Sequence, residues 1–157
     1  KNASLYNWNQ RKMAVRLRNL GFKQENVEIE GPTADYLDRY MDVDIILDTY
    51  PYTGGGSTCD ALFRGVPVIT KYGDRHGTRF SYSLLANIGI PELASETDGE
   101  YIAKAVALAN DPVLLECLHE QIGETMKTTI MNSRQYVREV EAAYKKIWDD
   151  WLKEENR

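Results

Sequence analysis

The sequence predicts a single α/β domain in which a parallel sheet is covered by helices on both faces. Three observations lead to this fold class. Segments with the apolar spacing of helices alternate along the chain with short apolar runs of strand length. Two of these runs, VDIIL at residues 43–47 and VPVIT at residues 66–70, are typical of strands buried on both faces. The chain has 157 residues, 43% of them hydrophobic and 27% charged, so one domain with a substantial core accounts for its length.

The amino-terminal part predicts two helices around one short strand. Residues 7–20 place apolar side chains among Arg and Lys and predict an amphipathic helix that ends at Gly21. Residues 26–30 (NVEIE) alternate in polarity and predict a strand. A Gly-Pro pair follows, and Thr33 is suited to cap a second helix that runs to about Met41.

The middle of the chain carries the two apolar strands and the loop between them. The strand predicted at residues 43–47 leads into DTYPYTGGGST, a loop rich in Gly and Tyr. A helix is predicted through CDALFRG, with Gly65 as its carboxyl-terminal stop. The next strand, at residues 66–70, has Pro67 near its start, where proline is tolerated.

Helices dominate the rest of the sequence. They are predicted at residues 78–88, at 98–110, from Asp111-Pro112 onward, and at about 133–152. The last of them has one apolar stripe, formed by Tyr136, Val140, Tyr144, Ile147, Trp148 and Trp151. No internal repeat or linker divides the sequence, which therefore predicts one Rossmann-like domain over residues 1–157 with a helical tail.

Composition excludes several classes of protein. Lys and Arg number 19 against 24 Asp and Glu, a net charge of −5 without a basic run, so we expect no nucleic-acid partner. No apolar stretch approaches the roughly 20 residues of a membrane span, and we expect a cytoplasmic protein without membrane contact. Cys59 and Cys117 are too few for a disulfide scaffold and do not form a metal-type pair. The opening KNASLYNWNQRK is neither a signal peptide nor a start methionine, so we expect a fragment of a longer chain.

Two loops fall where a parallel sheet binds ligands, outside the carboxyl ends of its strands. One spans residues 31–36 and the other residues 48–60. In the second, Gly54, Gly55 and Gly56 precede Ser57 and Thr58 at the start of a helix. Glycine lets the backbone approach a ligand closely, and free amides at a helix start attract an anion. Two hydroxyl donors follow, and Asp60 is placed to accept hydrogen bonds from a ribose.

A simpler interpretation of this loop stays open. In this interpretation the three glycines only form a flexible turn, and Ser57 caps the helix that follows. The pattern is not a Walker A loop, because the closing Gly-Lys-Ser/Thr is absent, and it is not GxGxxG.

Longer blocks of sequence carry a family resemblance. DTYPYTGGGSTCDALFRGVPVIT and the later GDRHGTRFSYSLLANIGIPELA resemble the carboxyl-terminal catalytic lobe of the O-linked N-acetylglucosaminyltransferase (SPINDLY-type) family. The resemblance reaches back through LGFKQENVEIEGPTADYLDRYMDVDIILDTYP and forward to YIAKAVALANDP and SRQYVREVEAAYKKIW. Members of this family have two Rossmann-like lobes in a GT-B arrangement, often after tetratricopeptide repeats. They bind a UDP-sugar in the second lobe without a catalytic metal.

The resemblance implies a role for individual residues. The Gly31 backbone would read the uracil edge, Tyr36 would stand where a residue stacks on uracil, and Arg39 would lie near the same site. The segment 54–58, above all Gly55, Gly56 and Ser57, would face the diphosphate, and Asp60 the ribose. The chain departs from well-known members at Gly55, where they carry histidine, at Gly56, where they carry threonine, and at Thr33, where relatives can have lysine.

The function implied is the UDP-sugar-binding lobe of a metal-independent, inverting glycosyltransferase that transfers GlcNAc to protein Ser/Thr hydroxyls. Its partners would be a UDP-sugar, a protein acceptor, an amino-terminal catalytic lobe and upstream tetratricopeptide repeats. The active site of a GT-B enzyme lies between its lobes, so this lobe alone is expected to transfer nothing. Two alternatives stay open: a related lobe that glucosylates asparagine, and a nucleotide-sugar-binding or interaction module without turnover.

No general base stands out in the sequence. His76 is a candidate because its loop follows the strand at residues 66–70, but a surface histidine has the same pattern. Cys59 and His119 are interpreted as packing and helix-surface residues. Tyr50 and Tyr52 wall the sugar pocket or pack against the other lobe, toward which the helix at residues 133–152 is expected to return.

Overall fold

A computed structural model describes residues 3–155 and, among them, the side chains of residues 9–154. The described residues form two compact units, one ending at Tyr36 and the other beginning at Leu37. The single domain expected over residues 1–157 stays a prediction. No helix within the described residues is long and apolar enough to span a membrane.

The first unit is built around helix α1, Ala3–Asn19. Gly21 ends the helix with a positive φ of 92°, a conformation that favours glycine. A 3-10 turn follows at Gln24–Asn26, and Gln10 Nε2 donates to the Ile29 carbonyl at 2.9 Å. The strand predicted at residues 26–30 is wrong. This segment pairs with no strand among the described residues, and alternating polarity without a neighbouring strand does not make a sheet.

The helix predicted from Thr33 to Met41 is also wrong. Residues 34–37 form a turn and Asp38–Asp42 a 3-10 helix. Thr33 Oγ1 accepts from the Asp35 amide at 3.0 Å, so the threonine closes a local turn rather than capping a helix.

The second unit contains a sheet of three parallel strands in the order β1-β2-β3. The strands are β1 at Ile46–Leu47, β2 at Val68–Lys71 and β3 at Ala94–Ser95. Ile46 and Leu47 pair with Val68 and Ile69, and further along β2, Thr70 and Lys71 pair with Ala94 and Ser95. The two-residue β3 was not predicted, because so short a strand has no detectable alternation.

Strand β1 differs from the prediction in length and burial. The strand predicted at residues 43–47 contains only Ile46 and Leu47 in the structure. Leu47 is 57% exposed, so its burial on both faces was wrongly predicted. The reason is position in the sheet: within the described residues β1 is an edge strand that pairs only with β2.

Five α-helices follow β1 along the described part of the chain, and the first two of them lie between successive strands. Four of them are α2 at Gly56–Phe63, α3 at Phe80–Asn87, α4 at Asp98–Ala109 and α5 at Pro112–Thr128. Thr97 caps α4 and Asp111 caps α5, each through its side-chain oxygen. Gly65 ends α2 with a φ of 84°, and a Cβ there would lie 2.6 Å from the His119 carbonyl oxygen of α5. Glycine is therefore required where α2 meets α5.

The core of the second unit lies between the sheet and these four helices. Its buried apolar side chains are Ala61, Leu62, Val66, Val68, Ile69, Leu85, Ile88, Leu93, Ala94, Leu108, Ile122 and Met126. Strand β2 is the central strand, and its residues Val68, Ile69 and Thr70 are fully buried, in agreement with the sequence analysis.

The fifth helix, α6, spans Ser133–Glu155. Its predicted apolar stripe is largely exposed: Trp148 is 58% exposed and lies 5.2 Å from Trp151 between ring centroids. The expected packing of this helix toward another lobe stays a prediction.

Candidate functional site

A cavity of about 450 Å³ opens at the carboxyl end of β1. The loop between β1 and α2, residues 48–55, forms one wall and is called the glycine loop below. The first turn of α2 and Tyr40 complete the cavity; its lining includes Asp48, Tyr52, Gly54, Gly55, Gly56, Ser57 and Thr58. The cavity therefore lies where a parallel α/β sheet binds ligands.

The first turn of α2 faces this cavity without a side-chain cap. Gly55 is the N-cap residue, and no side chain caps the helix. Ser57 is exposed in the first turn and lines the cavity, so its alternative interpretation as the N-cap is wrong. The amides at this helix start are oriented as donors toward an anion, and the Ser57 side chain adds a hydroxyl to the same wall.

The three glycines have different surroundings. A Cβ on Gly54 would lie 2.8 Å from Ser57 Oγ and would also collide with Thr58 Oγ1, so the packing of the loop requires glycine there. A Cβ on Gly55 or Gly56 would meet nothing within 4 Å. Packing within the described residues therefore does not explain those two glycines, and both of them line the cavity.

Asp48, at the start of the glycine loop, holds the loop in place. Its Oδ1 accepts the amides of Thr49 at 2.9 Å and Gly54 at 2.8 Å, and its Oδ2 accepts the Thr70 hydroxyl at 2.7 Å. The Tyr101 hydroxyl donates to the Asp48 carbonyl at 3.0 Å. The sequence analysis did not assign a role to Asp48. Its signal was present, since a carboxylate that directly follows a strand and precedes a glycine run is suited to bind that run's amides.

A second set of hydrogen bonds fixes the other side of the loop. Ser81 of α3 donates to the Gly54 carbonyl at 2.9 Å and lies at the same distance from Thr58 Oγ1. Thr53, fully buried, donates to the Gly77 carbonyl through both its amide and its hydroxyl. The hydroxyl of Thr58 thus bonds to Ser81 in the interior. Only the backbone amide of Thr58 is then available to the predicted diphosphate site.

Asp60 lies one turn into α2 and is half-buried. It is not among the residues that line the cavity, so its predicted contact with a ribose stays a prediction. Burial and the nearby Asp60 carboxylate raise the pKa of the Cys59 thiol above its ordinary value. The thiolate is disfavoured as a result, in keeping with a packing role for Cys59.

The residues predicted around uracil are divided between the two units. Gly31 and the exposed Tyr36 belong to the first unit, and their place beside a base stays a prediction. Arg39 belongs to the second unit, where its guanidinium lies 2.9 Å from Asp42 Oδ2.

A second cavity of about 400 Å³ adjoins the first at Gly55. His76 and Phe80 line it, with their rings edge to face at 4.8 Å between centroids. His76 is exposed, and its role as a base stays a prediction. Arg79, in the same wall, donates to the Gly73 carbonyl at 3.1 Å and lies over the stacked rings of Tyr72 and Tyr82. This arginine is therefore anchored at the start of α3.

The remaining side chains named from the sequence have different surroundings. Tyr52 lines the first cavity, whereas the Tyr50 ring lies 4.4 Å from Lys71 Nζ. His119 Nε2 lies 2.9 Å from the Asp44 carbonyl oxygen and links α5 to the segment before β1. Across the described part of the chain, no three His, Cys, Asp or Glu side chains are grouped as metal ligands would be. The expectation of a metal-free site stays a prediction.

Comparisons with known proteins give the same family over most of the chain. Residues 11–140 match the model of glycosyl transferase family 41. The barley (Hordeum vulgare) protein described as a probable UDP-N-acetylglucosamine–peptide N-acetylglucosaminyltransferase SPINDLY is 36% identical over 115 residues, covering 73% of this chain and 12% of the relative. The Petunia hybrida protein of the same description is 32% identical over 136 residues, covering 84% of this chain and 15% of the relative.

A solved structure extends the match to the fold. A mutant O-GlcNAc transferase from Thermobaculum terrenum aligns with a TM-score of 0.81 and 34% identity. The alignment covers 90% of this chain and 28% of that chain. The chain therefore spans about a quarter of that solved chain and 12–15% of the two plant relatives.

Proposed function

Because the chain belongs to glycosyltransferase family 41, we propose that it is the UDP-sugar-binding lobe of an enzyme that transfers GlcNAc to protein Ser or Thr. The observation that carries the proposal is the cavity at the carboxyl end of β1, with Gly55, Gly56 and Ser57 in its wall. The plant relatives' descriptions, which name UDP-N-acetylglucosamine and a peptide, support this donor and this class of acceptor.

In this proposal the start of α2 binds the diphosphate. Displacing UDP from the anomeric carbon builds negative charge on the departing phosphate. Amides of the first turn of α2 and the Ser57 hydroxyl stabilise that charge, since they are already oriented before the reaction. Bare backbone at Gly55 and Gly56 lets the phosphates approach these amides closely. The charge is thus stabilised by this chain's own donors. The acceptor hydroxyl attacks the anomeric carbon from the opposite side as the bond to UDP breaks and loses its proton to a general base, which inverts the sugar.

The acceptor side of the reaction lies outside this lobe. We place the acceptor hydroxyl between this lobe and an amino-terminal catalytic lobe, and upstream tetratricopeptide repeats would select the protein. The isolated chain then binds UDP and transfers nothing. The expected cytoplasmic location stays a prediction.

One observation favours a second candidate, a nucleotide-sugar-binding module without turnover. Gly55 and Gly56 bring no side-chain donor to the cavity, so the phosphates would meet only backbone amides and Ser57. Transfer by the parent enzyme, lost on Asp60→Ala, would contradict this second candidate. A parent enzyme that binds a UDP-sugar and transfers nothing would support it.

Calorimetric titration of the chain with UDP, uridine and ADP, with and without magnesium, tests the proposal. We expect UDP to bind more tightly than uridine or ADP, and its affinity to be the same with and without magnesium. Tighter binding of ADP, or no binding of UDP at millimolar concentration, would contradict the assignment to this lobe.

A matched pair of variants ties the binding to the cavity. Gly55→Asp adds a carboxylate to the cavity wall, where a Cβ meets nothing within 4 Å, and should weaken UDP binding much more than uridine binding by charge repulsion. Gly99→Asp makes the same change in the first turn of α4, where a Cβ also meets nothing within 4 Å. We expect Gly99→Asp to bind UDP like the unaltered chain.

A further inference from the structure

Hydrogen bonds link the glycine loop to all three strands through one carboxylate. Ser95 of β3 donates its hydroxyl to the Thr70 carbonyl at 3.1 Å. Thr70 of β2 donates its own hydroxyl to Asp48 Oδ2, and Asp48 follows β1 directly. Asp48 Oδ1 accepts the Gly54 amide, six residues further along the loop. The chain of contacts therefore runs from the interior of the sheet to the glycine that precedes the cavity wall.

The bond between Asp48 and Gly54 closes the loop across its own length. Residues 48–55 contain no regular hydrogen-bonded element, so their conformation depends on such side-chain contacts. Gly54 is held on both sides of its backbone, because its amide donates to Asp48 and its carbonyl accepts from Ser81. Gly55, Gly56 and Ser57 follow at once, and their position in the cavity is set by where Gly54 is held.

The negative charge of Asp48 lies near the proposed diphosphate site, so it has to be compensated by hydrogen-bond donors. Its two oxygens accept three hydrogen bonds within the structure, from the amides of Thr49 and Gly54 and from the Thr70 hydroxyl. Donors that point at a carboxylate stabilise its charge and make it a tighter acceptor than a neutral group. Although Asp48 lines the cavity, both of its carboxylate oxygens already accept hydrogen bonds from the loop and from β2, so Asp48 is suited to orient the loop.

From this geometry we propose that Asp48 is a positioning residue for diphosphate binding, which acts through the Gly54 amide; this rests on the function proposed above. Asp48 sets the loop so that the start of α2 faces the phosphates. It contributes to the phosphate part of binding and leaves the contacts with a nucleoside unchanged.

Two substitutions separate this role from general stability. Asp48→Ala removes both oxygens and leaves the Gly54 amide without its acceptor. Asp48→Asn keeps one oxygen for the two amides, and the Thr70 hydroxyl can rotate to accept from the new amide group. We expect Asp48→Ala to lower UDP affinity at least about tenfold with uridine affinity unchanged, and Asp48→Asn to recover most of the loss.

Asp111→Ala is the matched control. Asp111 also accepts a backbone amide, that of Leu114 at 3.0 Å, but it does so at the start of α5. This variant loses a capping carboxylate of the same kind, and the ratio of UDP to uridine affinity should stay that of the unaltered chain.

Amide hydrogen exchange gives a readout that needs no ligand. The amides of Thr49 and Gly54 should exchange faster in Asp48→Ala than in the unaltered chain, and Asp111→Ala should leave both unchanged. Equal losses of UDP and uridine affinity, or an Asp48→Asn variant as weak as Asp48→Ala, would overturn the positioning role. UDP binding by the unaltered chain with no change in Asp48→Ala would overturn this inference alone. Failure of the unaltered chain to bind UDP would overturn the proposed function and this inference together.

Discussion

The hydroxyls of Thr58 and Ser81 form a buried pair that joins the start of α2 to α3. Their oxygens lie 2.9 Å apart, and the two residues are 3% and 0% exposed. Ser81 has one hydroxyl proton and donates it to the Gly54 carbonyl. Thr58 must therefore be the donor within the pair, and its proton points into the interior rather than into the cavity.

Removal of this pair should destabilise the second unit. Ser81→Ala leaves the Gly54 carbonyl and the Thr58 hydroxyl without their partner in a buried place, which costs about 1–3 kcal/mol. Urea unfolding followed by circular dichroism measures the change. Ser83→Ala, two residues along the same helix and exposed, is the control and should shift the free energy of unfolding by less than about 0.5 kcal/mol. If Ser81→Ala lowers the free energy of unfolding as little as Ser83→Ala does, the pair adds nothing to stability.

Ser57→Ala tests the diphosphate assignment directly. Ser57 is exposed and lines the cavity, so its loss should leave the fold intact and remove one hydrogen bond to phosphate. We expect UDP affinity to fall by about 1 kcal/mol and uridine affinity to stay the same, as measured by calorimetry. Ser133→Ala, in an exposed position at the start of α6, is the control. If uridine weakens as much as UDP, Ser57 does not contact a phosphate.

Asp60→Ala tests the ribose assignment. A ribose hydroxyl left without its acceptor should weaken both UDP and uridine, by roughly 1–3 kcal/mol. The parallel loss distinguishes Asp60 from Ser57, for which only UDP should change. Unchanged affinity for both ligands would remove Asp60 from the site, in line with its absence from the cavity lining.

The effect of the Asp60 carboxylate can be measured on the thiol of the neighbouring Cys59. Burial, and to a smaller extent Asp60, raises the pKa of this thiol above its ordinary value. Asp60→Asn removes the second cause and should lower the pKa, so more thiolate is present at a pH below it and alkylation by iodoacetamide becomes faster. Burial remains, so the rate stays below that of an exposed cysteine. The experiment uses a Cys117→Ser background, and an unchanged rate would show that burial alone sets the pKa.

Truncation of an exposed side chain in the apolar stripe of α6 should have a small effect on the stability of the isolated chain. Trp148 is 58% exposed, and Trp148→Ala should change the free energy of unfolding by less than about 1 kcal/mol. Ile122→Ala is the comparison, since Ile122 is 2% exposed and its truncation should cost about 2–5 kcal/mol. A loss at Trp148 as large as that at Ile122 would mean that this face is covered in solution, and sedimentation at several concentrations would then reveal a second copy.

The parts of the fold that were predicted correctly have strong local patterns. The central strand β2 is a nearly continuous apolar run, and α4 and α5 directly follow Thr97 and Asp111, whose side chains cap them. The predicted strand at residues 26–30 and the helix from Thr33 to Met41 failed for the opposite reason. Their patterns are short, and the neighbours that would pair or pack with them are not supplied by the described residues.

The sequence by itself determined the α/β class and the position of the glycine loop before a helix, because these follow from apolar spacing and residue order. It also indicated the family, through the resemblance of its longer sequence blocks. Only the tertiary structure identified Asp48 as the acceptor of the Gly54 amide and directed the Thr58 hydroxyl toward Ser81. The physical reason is that each of these hydrogen bonds depends on how the loop folds back or how elements pack. Asp48 also binds Thr70, 22 residues away, and Thr58 meets Ser81 across 23 residues. No local pattern encodes such separations, and the packing of α2 and α3 with the sheet brings these oxygens within bonding distance.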